Sequence, residues 1–172
     1  MRKGILVVSF GTSHLDTMEK TIDVIERDIA RRFPGHRVYR AFTSRMIIRK
    51  LKRTENMEID TVDKAVKRMA ADGIEEVTVQ PTHIINGIEN DRMMEDLMEN
   101  MSCFKRIRVG RPLLSSVDDY KKSIHAVMDE TELSDDEMLV LMGHGTDHHA
   151  NSAYPTLEYT FHALGYGQVL VG

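Results

Sequence analysis

Residues 4–10, GILVVSF, are a nearly unbroken apolar run, followed at once by a polar turn, GTSHLDT, and then by a helical pattern. A strand without polar alternation is one buried on both faces, as in the middle of a parallel sheet covered by helices. The helix after it is expected from Asp16 or Thr17 to Arg32, with Ile22, Ile25 and Ile29 on one face. Strand, turn and helix make the first half of a βαβ unit, so the chain reads as α/β.

The same unit recurs down the chain. Residues 36–42 alternate as a second strand and 43–53 read as a short basic helix. Residues 60–72 are an amphipathic helix closed by Gly73, and 76–81, EVTVQP, are a third strand. Residues 107–110 are a fourth strand, PLLSS its loop, and 117–130 a helix; residues 134–137, SDDE, read as a linker. A further strand is expected over 137–142, a helix over 150–164, and a strand over 167–171. The pattern predicts a doubly wound parallel-sheet lobe over 1–130 and, over 131–172, the start of a second lobe of the same type, which reads as truncated. A two-stranded unit is marginal in water. Residues 131–172 are therefore expected to dock on the first lobe or on a second copy, which makes a homo-oligomer one expectation, or to be loose.

Composition narrows the partners. A net charge of −4 gives no global attraction to nucleic acid or to an anionic membrane, so an anionic ligand must be met by local basic groups. The single cysteine, Cys103, excludes an internal disulfide framework and suits a reducing compartment. No segment reaches the roughly 18 apolar residues of a membrane span, and the N-terminal run is too short for a signal peptide. A cytoplasmic location is expected.

Four places at the carboxyl ends of strands, where open α/β sheets keep their ligand crevices, carry candidate chemistry. Residues 139–149, LVLMGHGTDHH, end a strand in Gly143, His144 and Gly145, which present one imidazole with little bulk beside it. The spacing to His148 and His149 matches no HExxH or zinc-finger pattern, so a single imidazole bond to a transiently held metal fits better than a closed structural site. Glu89, near the start of the helix after the third strand, is a candidate base. Residues 27–53 hold ten basic side chains against one acid, Asp28. Most suit solvated helix faces, whereas Arg45 and Arg49 follow a strand end and are placed to reach an anion. The loop of Gly11, Thr12, Ser13 and His14 precedes a helix N-terminus, which favours a carboxylate or phosphate, although GxxxxGK[ST] is absent.

Five segments in order resemble the class II tetrapyrrole chelatases, most closely the anaerobic sirohydrochlorin cobalt chelatases of cobalamin biosynthesis. They are LVVSFGTS at 6–13, RAFTSRMIIRKL at 40–51, VQPTHIINGIE at 79–89, PLLSS at 112–116 and GHGTDHHANSAY at 143–154. The resemblance implies two similar α/β lobes, a lyase that inserts Co2+ (Fe2+ or Ni2+ as alternatives) into sirohydrochlorin, and no organic cofactor. It implies His144 as catalytic residue and metal ligand and Glu89 as the catalytic carboxylate. Substrate contacts are expected from Phe10, Gly11, Thr12, Ser13, Arg45, Ile85 and Asn86. Two further family metal ligands, a glutamate and a histidine, fall after Gly172, so this 172-residue form is expected to insert metal poorly or not at all. The rival readings are a tetrapyrrole or haem carrier without turnover, and a flavodoxin-like nucleotide module supported by anatomy alone.

Overall fold

The computed structural model describes residues 1–172, which divide into two compact units. The first comprises Met1–His83 and Glu89–Arg111, the second Ile84–Ile88 and Pro112–Gly172.

In the first unit β1 (Lys3–Ser9) is buried from Gly4 onward and lies between β2 (His36–Phe42) and β3 (Glu76–Pro81), with β4 (Arg106–Val109) outside β3. All pairings are parallel, in the order β2-β1-β3-β4. The central position explains the unbroken apolar run. Leu6 and Val8 join Tyr39, Val66, Met69, Val79, Met93 and Leu97 in one core, while Phe42 joins Met18, Ile22 and Leu51 in another. Each fully buried Leu or Phe of this kind contributes roughly 1.5–3 kcal/mol.

The chain leaves β1 for β2 on one side and then crosses to β3 on the other, so the order in which strands are added reverses between β1 and β3. In open α/β sheets that switch point is where the carboxyl-end loops part and leave a crevice. Register puts Ser9 opposite Phe42 and Val8 opposite Pro81, so Phe10, Thr43 and Thr82 all emerge at one edge. The edge is held by Thr43 N–H donating to Ser9 O at 2.9 Å, Thr82 N–H to Val8 O at 2.8 Å, and Thr82 Oγ1 to Ser9 Oγ at 2.9 Å.

The helices differ from the expected spans in instructive ways. The helix expected as one piece from Asp16 or Thr17 to Arg32 is two, α1 (Leu15–Lys20) and α2 (Ile22–Arg32). They break at Thr21, whose hydroxyl donates to Thr17 O at 2.6 Å and whose φ and ψ are −124° and −79°. Such back-bonding by a β-branched residue competes with the helix ladder. Next come α3 (Arg45–Glu55), capped by Ser44, and α4 (Val62–Ala71), capped by Thr61. The unit's last helix is α5 (Ile88–Met98), whose first residue belongs to the second unit.

The second unit contains α6 (Val117–Asp129), β5 (Leu139–Leu141), a 3-10 turn over His149–Ser152, α7 (Ala153–Ala163) and β6 (Val169–Val171). Its two strands pair in parallel, and its core gathers Ile124 of α6, Phe161 of α7 and Val169 of β6. The helix read from the sequence as the end of a 1–130 lobe thus buries its apolar face in the second unit, and the compact units divide after Arg111. The SDDE segment is a closed turn rather than a free linker. Ser134 N–H donates to Glu137 Oε2 at 2.9 Å, and Gln168 Nε2 donates to Ser134 O at 2.9 Å.

Candidate functional site

The switch point of the first sheet opens into a cleft of about 570 Å³, within the usual range of small-molecule sites. One wall is the strand edge and the start of α3: Phe10, Thr43, Ser44, Arg45 and Met46. The other is one face of α5: Glu89, Arg92, Glu95 and Asp96. The helix is oriented by its opposite face, where Asn90, Met93 and Leu97 recur at helical spacing and are buried. Glu89, Arg92 and Asp96 share the remaining stripe and so point the same way.

Phe10 reaches the cleft because of the residue after it. Gly11 has φ of +99°, and a Cβ there would lie 2.8 Å from Cγ and 2.9 Å from Cε2 of Phe42, which is fully buried. The backbone must cross the Phe42 ring in a conformation that suits only glycine, and Phe10 is left 48% exposed. Phe10 and Met46 give the cleft apolar surface suited to a flat organic ring.

Its polar groups are of mixed sign. Arg92 Nη1 donates to Glu89 Oε1 at 2.8 Å, while Glu89 Oε2 is buried without a hydrogen-bond partner. The Thr43 hydroxyl is likewise buried and unpartnered. Burial raises the Asp96 carboxyl above its ordinary range; the Arg45 guanidinium opposes that rise, and the Asp63, Glu99 and Glu95 carboxylates add to it. Glu89 sits in the first turn of α5, where a carboxylate is favourable with the helix dipole.

His83, two residues past the end of β3, is buried. Burial lowers the pKa of this imidazole; the Glu89 carboxylate and a hydrogen bond with the Asn90 side chain act in the opposite direction.

Of the residues singled out in the sequence, the cleft contains Phe10, Arg45 and Glu89. Gly11, Thr12 and Ser13 form the adjoining loop without lining it, and the Thr12 hydroxyl accepts from His14 N–H at 3.2 Å. The helix that follows is only the six residues of α1, and its cap, His14, makes no side-chain bond. Arg49 is exposed and outside the cleft. Among its basic neighbours Arg31 pairs with Asp28 at 2.9 Å on an exposed helix face and Arg37 with Asp72 at 2.9 Å, whereas Arg40 of β2 is half-buried against Glu26 and Asp23.

Ile85, Asn86 and His144 belong to the second unit. His144 follows β5, is exposed, and is succeeded by Gly145 with φ of +72°. His148 has a structural task. Its Nδ1 accepts from Ala150 N–H at 3.1 Å to start the 3-10 turn, and its ring lies 3.9 Å from that of His149. No group of three or more His, Cys, Asp or Glu side chains is arranged to hold a metal. No helix is long and apolar enough to cross a membrane.

The sequence reading passed over His83, Arg92 and Asp96. Arg92 and Asp96 were reachable by counting three and seven residues along the helix from Glu89. His83 stands just past a strand end, as His144 does, and the same rule would have found it.

Comparison with known proteins places the chain in a family. Residues 3–172 match the family described as Cobalt chelatase (CbiK). The chain is 44% identical over 160 residues to the sirohydrochlorin cobaltochelatase of Salmonella typhimurium LT2, covering 92% of this chain and 61% of that protein. It is 35% identical over 160 residues to the sirohydrochlorin cobaltochelatase CbiKC of Nitratidesulfovibrio vulgaris Hildenborough, covering 91% of this chain and 56% of that protein. The chain therefore spans about three fifths of the length of the curated relatives it matches.

Proposed function

The chain belongs to the cobalt chelatase (CbiK) family, and from that membership we propose that it acts on sirohydrochlorin as a metal chelatase with Co2+ as the metal substrate. The observation that carries this reading is the cleft of the first unit, where a carboxylate with one unpartnered oxygen stands beside two guanidinium groups and an exposed aromatic ring.

Insertion of a divalent metal into a free tetrapyrrole releases two pyrrole N–H protons and replaces the metal's water by ring nitrogens. The substrate's carboxylates suit Arg45 and Arg92, and its macrocycle suits Phe10 and Met46. When Arg92 passes from Glu89 Oε1 to a substrate carboxylate, that oxygen is freed to accept a ring proton, so binding of the anion itself activates the base. His144 holds the incoming metal, or takes the second proton, as a neutral imidazole suited to cobalt, nickel or iron. These steps are a lyase reaction in a cobalamin-type biosynthetic route, for which the cytoplasm is the proposed place; the free, exposed thiol of Cys103 suits its reducing conditions.

The test is spectroscopic. The purified chain is mixed with an excess of sirohydrochlorin and Co2+, and the absorbance of the free macrocycle is followed, with Fe2+ and Ni2+ in parallel. Conversion of many equivalents per chain supports the reading. A stoichiometric band shift without conversion, both here and in a form extended to the length of the relatives, overturns it in favour of a carrier, and an unchanged spectrum in both removes the tetrapyrrole as ligand.

A further inference from the structure

A substrate rich in carboxylates meets a cleft that already holds carboxylates of its own, and the chemistry above gives one of them no task. Of the half-buried carboxylates on the helices of the first unit, Asp23 and Glu26 are held by Arg40, Asp28 by Arg31, Asp63 by Lys67 and Glu89 by Arg92. Asp96 is the exception. Its side chain lines the cleft without an ion pair or a hydrogen bond, and Asn100 Nδ2 bonds its backbone oxygen, at 3.1 Å, instead. A carboxylate left half-buried and unpaired is disfavoured in its charged form.

Position separates Asp96 from the base. It follows Glu89 by seven residues on the same stripe of α5, two turns or about 10 Å farther along the axis. With Glu89 at the ring nitrogens, a group there falls at the rim of the macrocycle, where the substrate carries its carboxylates. We propose that Asp96 takes up a proton when the tetrapyrrole binds and, as the neutral acid, donates a hydrogen bond to a rim carboxylate of the substrate. The proton comes from solvent, the one bond formed is O–H on Asp96, and the substrate carboxylate stays ionised as the acceptor.

Two carboxylates side by side do not both stay ionised but share a proton. The surroundings of Asp96 already lean that way. Burial raises its carboxyl above the ordinary range, the Arg45 guanidinium of α3 opposes the rise, and Asp63 of α4 and Glu99 and Glu95 of α5 add to it. Arg45 lines the facing wall, is exposed and has no acidic partner of its own. A substrate anion that engages Arg45 weakens the opposing influence and brings a further negative charge, so binding itself drives the protonation. Asp96 thus makes recognition of the rim carboxylates dependent on pH, which a second arginine in its place would not.

This inference rests on the cleft being the tetrapyrrole site, and it is tested by binding in the absence of metal, so that turnover plays no part. The full chain and Asp96→Asn, which keeps the shape and cannot ionise, are titrated with sirohydrochlorin by calorimetry in two buffers of different ionisation enthalpy at about pH 7–8. The difference in heat gives the protons taken up. The native chain should take up as much as about one proton more per tetrapyrrole than the variant, and its dissociation constant should climb by up to about tenfold more per pH unit. Asparagine donates without needing a proton, so Asp96→Asn should bind roughly threefold more tightly, or better, at the alkaline end. Equal proton counts overturn the proposal even where Asp96→Asn binds more tightly, because a gain that is the same at every pH means only that an ionised bystander was removed. A variant that binds more weakly at every pH overturns it too. Metal insertion by a native chain whose proton count equals that of Asp96→Asn keeps the chelatase reading and sinks this one, whereas proton uptake lost in the variant without conversion by the native chain does the reverse. Failure to bind sirohydrochlorin, here and in the extended form, overturns both.

Discussion

Gly11→Ala tests whether the cleft is built as described. A left-handed backbone at a residue with a Cβ costs roughly 1–2 kcal/mol. The methyl group would also lie 2.8 Å from Cγ of Phe42, a ring that is fully buried and has no room to retreat, and overpacking of this kind costs about 1–3 kcal/mol. Alanine returns about 0.4–1 kcal/mol by restricting the unfolded chain. The net loss is about 3 kcal/mol, which with a urea slope of about 2 kcal/mol/M lowers the midpoint by roughly 1.5 M. Because two units contribute to a bulk signal, the loss is best read from native-state hydrogen exchange of the β1 amides, Lys3–Ser9, at the centre of the first sheet. Phe42→Leu trims the ring edge, so the double variant should fall short of additivity by about 1–2 kcal/mol. A loss below about 1 kcal/mol for Gly11→Ala would refute the argument from φ. Strict additivity with Phe42→Leu would refute the argument from close approach.

Glu89→Gln should slow cobalt insertion about a hundredfold while leaving the dissociation constant for sirohydrochlorin, measured by absorbance titration, within about twofold, because it removes a proton acceptor and keeps the shape. Arg45→Ala combined with Arg92→Ala should weaken tetrapyrrole binding by tenfold or more, on the order of 1.4 kcal/mol, and flatten its dependence on salt. Arg49→Ala, outside the cleft, should leave both unchanged. Tyr39 is held neutral by burial and by its hydrogen bond to Asp72 at 2.8 Å, which push its pKa up to about 12, and absorbance at alkaline pH should show one phenol of five ionising last. Since its folded pKa lies above the unfolded value of about 10, its stabilising contribution is complete below pH 10 and is lost as pH rises toward 12; urea midpoints that stay level across that window while the phenol ionises would contradict the assignment.

The parallel sheet of the first unit was legible because the signal is chemical redundancy. Leu6, Val7 and Val8 are apolar in succession and so point to both faces, and only a doubly covered strand accommodates them. The break at Thr21 was not legible, since the apolar stripe of Ile22, Ile25 and Ile29 runs on regardless and the bend comes from one hydroxyl competing for Thr17 O. The helix over 117–129 was found, but its allegiance was not. Ile124 reads as a core residue in any lobe, and which core it joins depends on Phe161 and Val169, some forty residues later in the chain.

The site shows the same division between local and distant information. Phe10, Arg45 and Glu89 were within reach of the sequence because each follows the carboxyl end of a strand, and strand order alone brings such ends to one edge. Arg92 changes how Glu89 is read: a lone carboxylate in a first turn is a dipole-compatible surface group, whereas one whose Oε1 is held by an arginine while its Oε2 is buried without a partner suits the proposed base.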